Sequence, residues 1–148
     1  MDLKEAWLNV IALAQASDAK AEDGHLNAKG DTFYSVHKTF EAVQDGIEED
    51  DTELDDLPDE CFEVFYGGRG LPFPSSNDVT KKMLEFMEAP SSNSRENGKQ
   101  VRKLFQTMLE NLSFIIEHKD TTDGENDLAA SIAHQIQHRV YFLNNYLG

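Results

Sequence analysis

His25-Leu26-Asn27-Ala28-Lys29-Gly30-Asp31-Thr32-Phe33-Tyr34-Ser35-Val36-His37-Lys38-Thr39-Phe40-Glu41 is the stretch on which the fold turns. Its first part closes one helix and its second opens another. Lys29-Gly30 reads as a stop, because glycine just past a helix end accepts the positive φ that other residues resist. Asp31 or Thr32 offers a side-chain oxygen to the free N–H groups of the next helix. Upstream, Leu3, Trp7, Val10, Ile11, Ala14, Asp18, Ala21 and His25 fall within about 100° of arc at helical periodicity. Residues 2 to about 28 therefore read as one long helix. Downstream, Phe33, Val36, Phe40, Val43 and Ile47 form the apolar stripe of a second helix that the pattern extends to about Leu54.

The same periodicity continues outward. Asp55-Asp56-Leu57-Pro58-Asp59-Glu60 reads as a helix restart, with proline in the first turn and acids at the positive end of the helix dipole. This turn carries Cys61, Phe62, Val64 and Phe65 and stops at Gly67-Gly68. Gly70–Pro74 is loop. A short helix follows over 77–88, through Val79, Met83 and Met87. Ala89–Asn97, rich in Ser and Asn, links it to a third long helix over about 95–119. The acidic turn Asp120–Asp127 leads to a fourth over about 125–146. Strand-type alternation is nearly absent. The expectation is one all-α domain over 1–148: a four-helix bundle with one long crossover carrying a short extra helix, which is the ferritin-like connection.

Composition narrows the function classes. The chain has 148 residues, 13 basic against 28 acidic, and a formal charge of −15. Binding to nucleic acid or an anionic membrane needs cations facing phosphate, so the balance opposes both. It suits a cation-collecting surface or a basic partner. One cysteine, Cys61, excludes a disulfide framework and a polythiolate zinc site, and fits a reducing cytoplasm. No apolar run reaches membrane-spanning length, and Met1–Trp7 lacks the apolar core of a signal peptide. A cytoplasmic protein is expected.

The chemistry-bearing residues cluster at the first helix junction. His25 lies on the buried stripe of the first helix, and His37 follows twelve residues later. His37, Glu41, Gln44 and Glu48 follow helical spacing as a polar strip. Imidazole and carboxylate on facing helices can hold a transition metal, and mixed N/O ligation suits iron. The competing reading is a satisfied core histidine beside a solvated acidic face. His134 and His138 are a second i, i+4 pair, but they lie opposite the apolar stripe of the fourth helix and read as solvated. His118, at a helix C-terminus, reads as a cap. The Glu48–Asp51 run reads as solvated, Cys61 as core, and Gly67–Gly70 lacks the strand and helix a phosphate loop needs.

Residues 25–30, HLNAKG, resemble the HWNVKG signature of the Dps family, the mini-ferritins. The run from Asp31 to Glu41 is similar to the family's PNFYALHEMFE, with both histidines in register, and Tyr141–Gly148 resembles its closing WMLRAFLG. The resemblance implies a hollow dodecamer built from two-fold dimers. It implies iron as the metal, bound at sites shared between subunits, with Fe(II) oxidised by peroxide in preference to oxygen and stored as mineral. That is a ferroxidase and iron-storage function protecting against oxidative damage. His25 and His37 match the family's histidines, and Glu41 matches an acid that assists a second iron. The partner's D-x-x-x-E falls on Thr52 and Asp56 without a gap, and on Asp56 and Glu60 if one helical turn is inserted. The acidic turn corresponds to the three-fold pores, with Asp123 and Asp127 as pore acids. The basic tail that condenses DNA in some members is missing. Two other readings remain: a Dps-fold shell or interaction protein with a degenerate iron site, favoured by Thr52 and Pro58, and an acidic mimic of nucleic acid, favoured only by charge.

Overall fold

A computed structural model describes residues 1–28 and 34–148, apart from the side chains of Tyr34 and Ser35. The expected stop at Lys29-Gly30, the cap at Asp31 or Thr32, and Phe33 lie outside the described residues. Among those described, the chain is all-helical with no strand. Six α-helices run in order: α1 (Leu3–Asn27), α2 (Tyr34–Asp45), α3 (Leu57–Cys61), α4 (Ser76–Phe86), α5 (Ser94–Glu117) and α6 (Asp123–Leu147). A 3-10 turn, Leu54–Asp56, precedes α3, and a π-helical turn, Phe62–Gly67, follows it. No helix among the described residues is long and apolar enough to cross a membrane.

Capping chemistry sets most helix starts. The Asp2 carboxylate accepts from Glu5 N at 2.8 Å to begin α1. Ser75 and Asp78 form a reciprocal capping box on α4, as Thr122 and Glu125 do on α6, and Asn93 caps α5. Each satisfies N–H groups that a helix start otherwise leaves to water. Pro58 sits in the first turn of α3, where its missing N–H costs nothing.

The second helix departs from expectation. It ends at Asp45, nine residues before Leu54. Gly46 leaves the helix with φ +105°, and the Asp51 carboxylate then accepts from Ile47 N and Glu48 N, both at 2.9 Å. Those bonds give the backbone of 46–51 an alternative to helical pairing, which is how Asp side chains compete with helices.

Cross-helix pairs give the packing directions. Phe40 lies against Gly24, and Gln44 donates to Asp18 and Glu22, so α2 runs back along α1. Asn9 pairs with Asn111 and Asn27 with Asn97, making α5 antiparallel to α1. Asn126 reaches Ile116 while Arg102 reaches Asn144, making α6 antiparallel to α5. Arg139 meets Val43 and Phe40 meets Tyr146, making α6 antiparallel to α2. The core between them holds Trp7, Ile11, Phe40, Phe105, Met108, Ile132 and Ile136, all fully buried.

Helix α1 is apolar on more than one face, which reads in the sequence as a surface for a second subunit. Within the chain that second face, marked by Leu8 and Leu13, is partly covered, Leu8 staying half-buried. Leu13 is fully buried, and α4 packs along α1, with Lys82 bridging to Glu5. Trp7 stacks on Phe65 of the π-helical turn, with ring centroids 5.6 Å apart.

Candidate metal centre

Antiparallel pairing of α1 and α2 carries the two expected histidines to one end of the interface. The imidazoles of His25 and His37 meet edge to face, with centroids 4.9 Å apart and an interplanar angle of 81°. Both are half-buried. Gly24 permits this approach: a Cβ there would lie 2.3 Å from the ring of Phe40, itself fully buried. Leu26, the residue after His25, is exposed.

Within one chain the acids named for the shared site lie apart from the histidines. Glu41, one turn after His37, is exposed and stands 3.9 Å from Lys38. Among the described residues no carboxylate joins the two imidazoles within donor spacing of 4.8 Å. From His37 to Asp45 the helix alone covers about 12 Å at 1.5 Å per residue, and Asp56 and Glu60 follow beyond it. Asp56 is exposed and groups with Glu53 and Asp55, their carboxylate oxygens within 4.8 Å of one another. Crowding by Asp55 and Asp45 holds the Glu53 carboxyl above its ordinary value. Glu60 is half-buried, with Oε1 3.5 Å from Thr52 Oγ1. One chain therefore presents the histidines at one end of α2 and the acids beyond the other.

The acidic turn before α6 divides by role. Asp123 and Asp127 are exposed. Glu125 is 2% exposed and takes a two-point bond from Arg69, at 2.7 and 2.8 Å. Burial pushes its carboxyl up, but the Arg69 guanidinium and the Thr122 N–H outweigh burial and leave it below the ordinary range. Glu125 is thus a structural anchor rather than a pore acid. His118 is the C-cap residue of α5, as expected, yet its Nδ1 accepts from Asp120 N at 3.1 Å instead of meeting the helix carbonyls. Cys61 is buried, and burial pushes its thiol well above the usual range.

A third grouping joins residues that the sequence reads as solvated and that stay largely exposed. Glu48 Oε1 lies 3.0 Å from His138 Nδ1, and the His134 and His138 rings are 4.5 Å apart. Ligand atoms of Glu48, His134 and His138 all lie within 4.8 Å of one another. The histidine pair is visible as H-x-x-x-H. Its carboxylate is not, because Glu48 meets α6 only if α2 ends before it. The dipeptide Asp45-Gly46, a turn signal, was the available clue.

Buried side chains of α6 hold that turn in place. Arg139, fully buried, donates from Nε to Val43 O and from Nη2 to Thr52 O, each at 2.7 Å. Burial holds its guanidinium below the usual value, with Asp51 and Asp45 opposing. Gln135 Oε1 accepts from Thr52 N at 2.8 Å. Both ends of the segment that carries Glu48 are therefore tied to the helix that carries the histidines. No family model matches the chain, and no curated protein and no solved structure matches it.

Proposed function

We propose that this protein is a ferritin-like, Dps-like iron-oxidising and iron-storing subunit that works as a closed oligomer, most simply a dodecamer. The observation that carries the reading is the His25–His37 pair, twelve residues apart in sequence and 4.9 Å apart across α1 and α2. The helix directions support it. If α1 points up, α2 and α5 point down and α6 up, which is the order of a four-helix bundle with one long crossover. Segment 46–93, holding α3 and α4, is that crossover.

On this reading Fe(II) is the substrate. Neutral imidazoles of His25 and His37 take one side of the ion, and carboxylates of a second copy, Asp56 foremost and Glu60 after it, take the other. Carboxylate oxygens favour the Fe(III) product, and imidazole suits Fe(II). Two Fe(II) ions each give up one electron to one peroxide, which takes up two protons and leaves as two waters. Glu41 sits one turn from His37 to assist a second ion. Asp123 and Asp127, exposed at the start of α6, supply negative potential to draw cations inward. The −15 charge opposes DNA binding.

One observation favours the second reading, a shell protein of the same fold with an inactive iron site. Asp56 groups with Glu53 and Asp55, whereas Glu60 bonds Thr52, so the two acids do not make one donor pair. Light scattering on a size-exclusion column, followed by anaerobic Fe(II) loading and peroxide addition, separates the readings. A closed oligomer with fast oxidation that His25→Ala/His37→Ala abolishes supports the ferroxidase. A closed oligomer with no oxidation above that double variant supports the shell. A mass of one subunit at micromolar concentration defeats both.

A further inference from the structure

The geometry points to a second metal site, separate from the His25–His37 pair: we propose that Glu48, His134 and His138 bind one divalent transition cation of the Zn(II) type. The donor set is two imidazoles and one carboxylate. Zn(II) takes such a set in catalytic or exchangeable sites, leaving at least one position to water. The same set is the facial triad of Fe(II) sites.

The spacing suits a single ion. Metal–donor distances near 2.1 Å place neighbouring donors about 3.0 Å apart at right angles and about 3.4 Å apart in a tetrahedron. The Glu48 Oε1 to His138 Nδ1 separation is 3.0 Å, and the three residues' ligand atoms lie within 4.8 Å. Closure needs only rotamer adjustment of His134 and Glu48, both exposed.

The site is also built rather than scattered. His134 and His138 stand one turn apart on α6, a rigid element of 25 residues. Glu48 belongs to a turn whose backbone N–H is held by Asp51 at 2.9 Å. Arg139 and Gln135, the residues directly after His138 and His134, bond the backbone at Val43 and Thr52 on either side of that turn. The chain has thus fixed the ligand-bearing turn against the ligand-bearing helix before any ion arrives. Such supporting bonds are what hold ligands in productive geometry. An ion there would staple the 46–52 segment to α6.

The proposal does not rest on the ferroxidase reading, and its test keeps the two apart. The full chain is titrated with ZnCl2 by calorimetry at neutral pH, and with Co(II), whose visible absorption reports the ligand set. The wild type is expected to bind one equivalent at this site with micromolar or tighter affinity. His134→Ala and His138→Ala are each expected to weaken that equivalent at least about tenfold, and Glu48→Gln likewise, with the Co(II) spectrum changed. His25→Ala/His37→Ala is expected to leave it intact. All these residues but His138 and the His25–His37 pair are exposed, so circular dichroism is expected to be unchanged in the Glu48 and His134 variants. Zinc binding that survives His134→Ala/His138→Ala unchanged, that disappears only with His25 and His37, or that is absent at 100-fold excess overturns the proposal and leaves Glu48–His138 as a simple side-chain contact.

Discussion

Replacing Arg139 by methionine keeps the length of the buried stem and removes the guanidinium fork. The carbonyls of Val43 and Thr52 then lose their donors, each now bonded at 2.7 Å. Val43 is in the last turn of α2, where no helical N–H remains to take its oxygen. Two charge-assisted bonds are worth about 3–6 kcal/mol in gross terms. Part of that is offset, because a fully buried guanidinium costs several kcal/mol to desolvate and its Nη1 has no partner among the described residues. The expected net loss is about 2–4 kcal/mol. Urea unfolding followed by circular dichroism measures it, at fixed protein concentration because assembly shifts apparent stability. The same variant is expected to bind Zn(II) more weakly at Glu48, since the turn is no longer tied at both ends. A loss under about 1 kcal/mol with an unchanged denaturant slope would refute the reasoning, because it would mean that the clamp contributes no more than an ordinary surface contact.

Three other outcomes are expected. Gly24→Ala places a Cβ 2.3 Å from the buried Phe40 ring, so overpacking of about 1–3 kcal/mol outweighs the gain of about 1 kcal/mol in helix propensity; a urea midpoint above that of the wild type contradicts this. Glu125 has its carboxyl held below the ordinary value, so the unfolded chain binds the extra proton first and the stabilisation is present above the ordinary carboxylate range and lost as pH falls through it. The difference in urea midpoint between wild type and Glu125→Gln should therefore be largest near neutral pH and narrow below about pH 4; a difference that grows on acidification reverses the sign and sinks the argument. Cys61 is fully buried with its thiol pushed up, so iodoacetamide should label it only after unfolding, and rapid alkylation of the native protein, read by mass spectrometry, speaks against the packing of α3.

The sequence by itself determined the helical class and most helix positions. Third-neighbour and fourth-neighbour apolar spacing and Pro58 in a first turn are local signals, and the observed elements begin within a few residues of them. The His25–His37 spacing was legible for the same reason: two helices joined by a short connection must run antiparallel, so residues near the joint meet. Tertiary structure alone decided three things. On the second face of α1, Leu13 is buried within the chain and Leu8 is half-buried beside α4, and periodicity does not say which element meets which face. Glu125 became the partner of Arg69 rather than a solvated acid, because a residue 56 positions away supplies the charge that permits its burial. Glu48, still exposed, meets His134 and His138, because Gly46 and Asp51 end α2 early and the Arg139 guanidinium then binds the turn to α6. Helices, caps and turns follow from neighbours along the chain; partners for a buried or half-buried charge follow from desolvation, which depends on what the rest of the fold brings alongside.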